Sequence, residues 1–352
     1  MKIPVRIPLA RLSLDPHRRH GQLRDYFCDK DAIATQVDDQ WELTLGWSGD
    51  PYRYVDPRLE EGLIWWGGNL DFKDMATARK RRGRLLLSLN DTWTLESWSE
   101  WLARNPKHHK ITVLHVDDHK DLSPPRIFQR VGGWLDPITG KTLILHQPET
   151  VTNAIMSGAL GMGSFLTPFL HYAPITDVRH LCQKPKCTGT IDSSIKIESF
   201  PDNLLDTSER RPGVSLIPDN KGVGAGRYRF TSDLDDWLEG LGGISEREEL
   251  GGVDNVSRDQ NAILLHIDMD YFCNRYDGDS DSIEHPGLLN SSLPEIMERI
   301  DELTEALHRH QLVQNLDDIV IAFSPGFYPA EFWAKSCDRL LAGLGESQWL
   351  DH

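Results

Sequence analysis

Cysteine is scarce in this chain. Five residues, at positions 28, 182, 187, 273 and 337 of 352, are too few and too scattered for a disulfide framework, so a reducing, cytoplasmic setting is expected. Cys182 and Cys187 flank Gln-Lys-Pro-Lys, but no second Cys/His pair has matching spacing, which leaves half a zinc site at most. Long apolar runs are missing too. No stretch approaches the roughly 18 apolar residues of a membrane span, and Met-Lys-Ile-Pro-Val-Arg-Ile-Pro at the start has no apolar signal core, so no membrane partner is expected. Positive charge is in short supply: 38 Lys and Arg stand against 54 Asp and Glu, a net charge of −16. Phosphate neutralisation needs clustered cations, so no nucleic-acid partner is expected either. A solvated acidic surface accounts for this balance, and a cationic substrate would also suit it.

What is present is an ordinary globular mixture, 39% hydrophobic and 26% charged. Ala32–Val37 and Trp41–Trp47 alternate as strands do, with Asp38-Asp39 as the turn. Arg84–Leu89 reads as a buried strand. Thr94 to about Asn105 reads as a helix with Trp98, Trp101 and Leu102 on one side. Pro148 to about Met162 looks helical. In the last third, Ile263–Asp268 and Ile319–Phe323 read as strands. Pro294 starts a helix with stripe Ile296, Ile300, Leu303 and Leu307, and Pro329 opens another. Strand–helix alternation predicts an α/β three-layer sandwich with a mostly parallel sheet. We expect one domain over 1–352, with a β-rich N-terminal extension (1–80) and a polar, Gly/Asp/Ser-rich insertion (190–262). Gly222, Gly224 and Gly226 in that insertion lack the strand and helix of a phosphate loop and read as a flexible hairpin.

Two segments carry the chemistry. Val113-Leu-His-Val-Asp117-Asp118-His119-Lys120-Asp121 and Leu264-Leu-His-Ile-Asp268-Met269-Asp270 are apolar runs that end in acids spaced two apart. A strand puts alternate residues on one face, so Asp117, His119 and Asp121 point one way, and Asp268 and Asp270 likewise. In a parallel sheet both sets stand at carboxyl ends, where ligands bind. Four carboxylates and an imidazole facing one another repel unless a cation lies between them. Oxygen and imidazole donors without sulfur favour Mn²⁺ over Zn²⁺, and two ions acidify a water for hydrolysis. His115 and His266 read as core histidines supporting the acids, and Asp118 as facing away. Asp277, Asp279 and Asp281 imitate a calcium loop out of register and read as a solvated acidic loop.

Asp117-Asp118-His119-Lys120-Asp121 resembles the Asp-x-His-x-Asp motif of arginases and agmatinases, and His266-Ile-Asp268-Met-Asp270 resembles their Phe-Asp-x-Asp motif, in the same order. Histone deacetylases share this ureohydrolase fold. The resemblance covers roughly 84–345 in outline. With Phe-Ser-Pro-Gly-Phe after the last strand, the chain is most similar to a divergent branch that includes peptide arginases, which convert arginine side chains of a ribosomally made precursor peptide to ornithine and release urea. The resemblance implies two Mn²⁺ ions bridged by Asp117 and Asp268. His119 and Asp270 would complete one shell, with Asp121 on the other ion and in proton transfer. It also implies a proton shuttle such as His146 or His171. Arginases take a further histidine ligand from the preceding strand; here Asn90-Asp91 follows that strand, and Asp91 or Asn90, or a histidine from elsewhere in the chain, is the candidate replacement. Ser123-Pro124-Pro125 stands where free-arginine enzymes read the amino-acid end, which suits a peptide-linked arginine. Glu331 is the nearest candidate for the guanidinium-pairing acid. Rival readings are a single-Zn²⁺ deacetylase-like amide hydrolase using Asp117, His119 and Asp268, and a degenerate, non-catalytic peptide-binding protein. A homo-oligomer is compatible with all of these.

Overall fold

The computed structural model describes residues 5–49, 54–67, 70–106, 110–173, 176–218, 226–241, 261–276 and 290–349. The alternating N-terminal runs form β2 (Lys30–Val37) and β3 (Gln40–Trp47), joined by β1 (Val5–Pro8) in an antiparallel sheet of order β1-β3-β2. Helix α1 (Pro16–Phe27) is capped by Asp15, whose carboxylate accepts the Arg18 N–H at 2.9 Å. Its Leu23, Tyr26 and Phe27 pack on Ile7, Trp41 and Leu43. Two further helices follow, α2 (Leu59–Gly67) and α3 (Phe72–Met75).

The central sheet starts with β4 (Arg79–Arg82) and β5 (Leu85–Ser88), then α4 (Trp93–Arg104) and β6 (Lys110–Val116). A small meander of β7 (Phe128–Arg130), β8 (Gly133–Leu135) and β9 (Thr142–Leu143) precedes α5 (Pro148–Ser157) and α6 (Leu166–Tyr172). Helix α5 stops at Gly158, whose φ of 91° is the left-handed cap that glycine supplies without strain. The sheet continues with β10 (Thr176–Leu181), β11 (Ile191–Pro201), β12 (Arg210–Pro218) and β13 (Gly226–Thr231), followed by α7 (Leu234–Leu238). It is completed by β14 (Asn261–Asp268), α8 (Leu293–Arg309), β15 (Asp318–Ala322) and α9 (Trp333–Gly343).

The nine strands lie in the order β12-β11-β13-β10-β6-β14-β15-β5-β4. From β13 to β5 every pairing is parallel; the two edges are antiparallel. Strand alternation sends Leu85, Leu87, Leu114, Leu265, Ile267, Ile319 and Ile321 into one core with α2, α8 and α9. It sends Leu86, Val113, Val178, Leu264 and Val320 into another with α4, α5 and α6. This is the expected α/β three-layer arrangement. Helix α8 shows why it forms: the Glu295 carboxylate accepts the Ser292 N–H at 2.7 Å, Pro294 sits in the first turn, and the stripe Ile296, Ile300, Leu303 and Leu307 is buried. Each such side chain contributes about 1.5–3 kcal/mol.

Within the segment 190–262, β11, β12 and β13 extend the central sheet, with β13 parallel to β10. The first eighty residues hold three helices as well as strands, and Leu59, Leu63 and Trp66 of α2 enter the core beneath α8 and α9. Gly222, Gly224, Asp277, Asp279 and Asp281 lie outside the described residues. Among the described residues no helix is long and apolar enough to cross a membrane.

Candidate metal centre

Strands β6 and β14 are parallel neighbours with His115 opposite His266 and Val116 opposite Ile267. The acids after each strand therefore emerge side by side at the carboxyl edge. Strand β10 flanks β6 with His180 opposite His115, and β15 flanks β14 with Ala322 opposite Asp268. Asp91 arrives from the turn after β5. The sequence spacing thus becomes one site because register aligns the strand ends.

Asp91, Asp117, Asp121, Asp268 and Asp270 are all buried. His119 Nδ1 lies 3.0 Å from Asp270 Oδ2 and 3.6 Å from Asp117 Oδ1, which also accepts the His119 N–H at 2.6 Å. Asp270 Oδ1 accepts the Asp118 N–H at 3.3 Å. Asp268 is held on both oxygens, by the Asp270 N–H at 3.2 Å and the Ser324 hydroxyl at 2.6 Å. The α5–α6 loop closes the other side: the Gly163 N–H donates to Asp91 Oδ2 at 2.8 Å, and a Cβ there would stand 3.7 Å from Asp121 Oδ1. Asp121 and Ser324 take φ of 52° and 42°, left-handed conformations that cost about 1–3 kcal/mol each and that the surrounding contacts must hold in place.

Burial pushes the carboxyls of Asp117, Asp121 and Asp268 well above their ordinary range, with Asp270 adding repulsion at Asp117 and Asp268, and Asp117 at Asp121. Burial likewise lifts Asp91 to about 7, with Asp29 as a repelling neighbour. Asp117 Oδ2 and Asp121 Oδ2 are buried without a hydrogen-bond partner. Asp117, His119 and Asp270 bring ligand atoms within 4.8 Å of one another, and so do His115, Asp117, Asp121 and His266. The cluster therefore has the donors to hold a metal ion. A cation would satisfy the two orphaned oxygens and remove the repulsion.

His180, His115 and His266 form a buried row beneath the acids. Ring centroids are 4.5 Å apart between His115 and His180, and 5.1 Å between His115 and His266. His180 Nε2 faces the Asp117 carbonyl at 2.9 Å, and its Nδ1 faces the Tyr228 hydroxyl at 2.7 Å. Burial pushes the His115 imidazole down to about 3 and those of His180 and His266 well below their ordinary value, so all three are neutral.

Other expected residues fall elsewhere. Asp118 is buried and its carboxylate is held by side chains, Lys186 Nζ at 2.7 Å and Asn274 Nδ2 at 2.8 Å, rather than by backbone or solvent. His146 is a correction: it is exposed, its ring lies against Tyr172, and it lines a surface cavity with Arg130, Trp134 and His171 that none of the five acids lines. His171 is tied to the Gly213 carbonyl at 2.8 Å. Glu331 Oε1 pairs with a guanidinium of the chain, Arg275 at 2.6 Å, with Arg58 at 3.7 Å, while its Oε2 is buried without a hydrogen-bond partner. Asn90 Oδ1 is turned to the Thr92 N–H at 3.0 Å. Cys182 and Cys187 are free thiols; the Cys187 thiol donates to the Gly189 carbonyl at 3.0 Å. The sequence reading missed Ser324, Gly163 and His180. Ser324 alone left a signal, since it lies within Phe-Ser-Pro-Gly-Phe directly after β15. No family model matches this chain, and no curated protein matches it significantly.

Proposed function

We propose that the protein is a metal-dependent hydrolase of the ureohydrolase type, converting arginine side chains of a precursor peptide to ornithine with release of urea. The observation that carries this reading is the convergence of Asp117-x-His119-x-Asp121 with Asp268-x-Asp270 at the ends of paired parallel strands. Two Mn²⁺ ions suit the mainly carboxylate donors. Asp117, His119, Asp121, Asp268, Asp270 and Asp91 would hold them. When bound, the ions supply the acidified water that attack on a resonance-stabilised guanidinium carbon requires.

The chain's own groups do the rest. Ser324 and the Asp270 N–H fix the Asp268 carboxylate, and Gly163 fixes Asp91. Asp121 would take a proton and pass it to the departing amine. Beside the acids, Asp29 and Tyr54 of the N-terminal segment, with Asn90, Met162 and Pro325, line a small cavity. The use of N-terminal residues there suits a peptide substrate.

One further reading has a specific observation behind it. The single-Zn²⁺ amide hydrolase expected from Asp117, His119 and Asp268 finds a three-donor group, but with Asp270 in place of Asp268: Asp117, His119 and Asp270. Mass spectrometry of arginine-containing peptides incubated with Mn²⁺-loaded protein separates the readings. The proposal expects a loss of about 42 Da per modified arginine, the change from guanidine to amine. One zinc per chain and acetyl release from acetyl-lysine peptides support the amide hydrolase. Metal binding with no mass change on any peptide supports a non-catalytic binding protein.

A further inference from the structure

The acids and His119 are not the whole donor set. His115 Nε2 lies 3.8 Å from Asp117 Oδ2 and 3.8 Å from Asp121 Oδ2, the two oxygens that are buried without a partner. Two donors each about 2.1 Å from one ion stand at most about 4.2 Å apart, so these separations admit a shared ion. His115 is fully buried, and its Nδ1 lies 3.0 Å from Nδ1 of His266, stacked beside it on the neighbouring strand.

We infer that His115 Nε2 joins Asp117 Oδ2 and Asp121 Oδ2 in an inner metal site, with His266 as the positioning residue that accepts the His115 Nδ1–H. The tautomers follow from the contacts. Without an ion, His115 donates from Nε2 to the His119 carbonyl at 3.1 Å, and Nδ1 is its lone pair. With an ion on Nε2, the His115 proton sits on Nδ1 and His266 Nδ1 accepts it, the His266 proton then residing on its Nε2, which has no hydrogen-bond partner among the described residues. Ligating imidazoles are characteristically oriented through their other nitrogen in this way. The outer group of Asp117, His119 and Asp270 has its own imidazole, so each ion receives one nitrogen. A nitrogen donor in each site selects Mn²⁺, Co²⁺ or Zn²⁺ over Mg²⁺, which demands oxygen ligands.

This inference rests on the metal-binding part of the proposed function, and one experiment tests them separately. The full-length protein is labelled with nitrogen-15 histidine, loaded with cadmium-113, and its imidazole nitrogens are observed by NMR. Two imidazoles with cadmium coupling are expected. His115→Gln should abolish one coupling and weaken Co²⁺ binding by about 100-fold, while His266→Asn should keep both couplings and weaken binding by about 10-fold. The wild-type count stands even where a variant fails to fold. A single coupled imidazole that survives His115→Gln overturns the inner site and leaves the proposed hydrolase intact. Two couplings with no change in any arginine peptide uphold the inner site and sink the proposed reaction. No bound cadmium overturns both.

Discussion

Stability of the metal-free protein should fall as pH rises, the reverse of the ordinary behaviour of paired carboxylates. The perturbation is chelation followed by a shift from about pH 5 to about pH 8. Asp117, Asp121 and Asp268 are raised well above their ordinary range, and Asp91 from 3.8 to about 7. The folded state therefore holds protons that the unfolded chain has released. Its advantage is complete below the unfolded value and is lost as pH rises through the folded one. At about 1.4 kcal/mol per pH unit, Asp91 alone accounts for up to about 3 kcal/mol between pH 5 and pH 8, a large share of the roughly 5–15 kcal/mol that holds a folded protein together. Mn²⁺ should reverse the trend, adding about 4 kcal/mol at a free concentration a thousandfold above Kd. The assay is the thermal midpoint across this range, with chelator and with Mn²⁺. Asp91→Asn should raise the midpoint of the chelated protein at pH 8 and flatten its pH dependence. A chelated wild type whose midpoint rises with pH, or is the same with and without Mn²⁺, refutes the reasoning.

Other consequences are as direct. Asp270→Ala, checked by circular dichroism for an intact fold, should abolish urea release; retained activity rules out its role. Ser324→Ala removes the hydroxyl held at 2.6 Å from Asp268 and should lower metal affinity about 10–100-fold, as read by calorimetric titration. In Gly62→Ala the new Cβ would stand 2.5 Å from Trp333 Cε3 and 2.8 Å from Ala330 Cβ. That overpacking should cost about 1–3 kcal/mol in denaturant unfolding despite better helix propensity.

Much of the central fold was legible because it is local. The apolar runs that end in Asp117 and Asp268, the Ser292–Glu295 start of α8 and its buried stripe each announce themselves within a dozen residues. The roles of β11, β12 and β13 were not, because Ser193, Ser194 and Arg229 look polar in sequence and are buried only through pairing with distant strands. The histidine row illustrates the same limit. Each of His115, His180 and His266 sits alone in its strand, and only register across β10, β6 and β14 brings them together. Glu331 shows the same limit: nothing near it in sequence shows that Arg275 pairs with it. His146 carried no geometric support beyond lying between the motifs, and the structure puts it at the surface.

Crystals of the protein soaked in Mn²⁺ and recorded at the manganese absorption edge put the two-ion centre to the test. The proposed centre requires two anomalous peaks between the carboxyl ends of β6 and β14, both in contact with Asp117. A single peak, or peaks only at surface carboxylates away from Asp117 and Asp268, contradicts it.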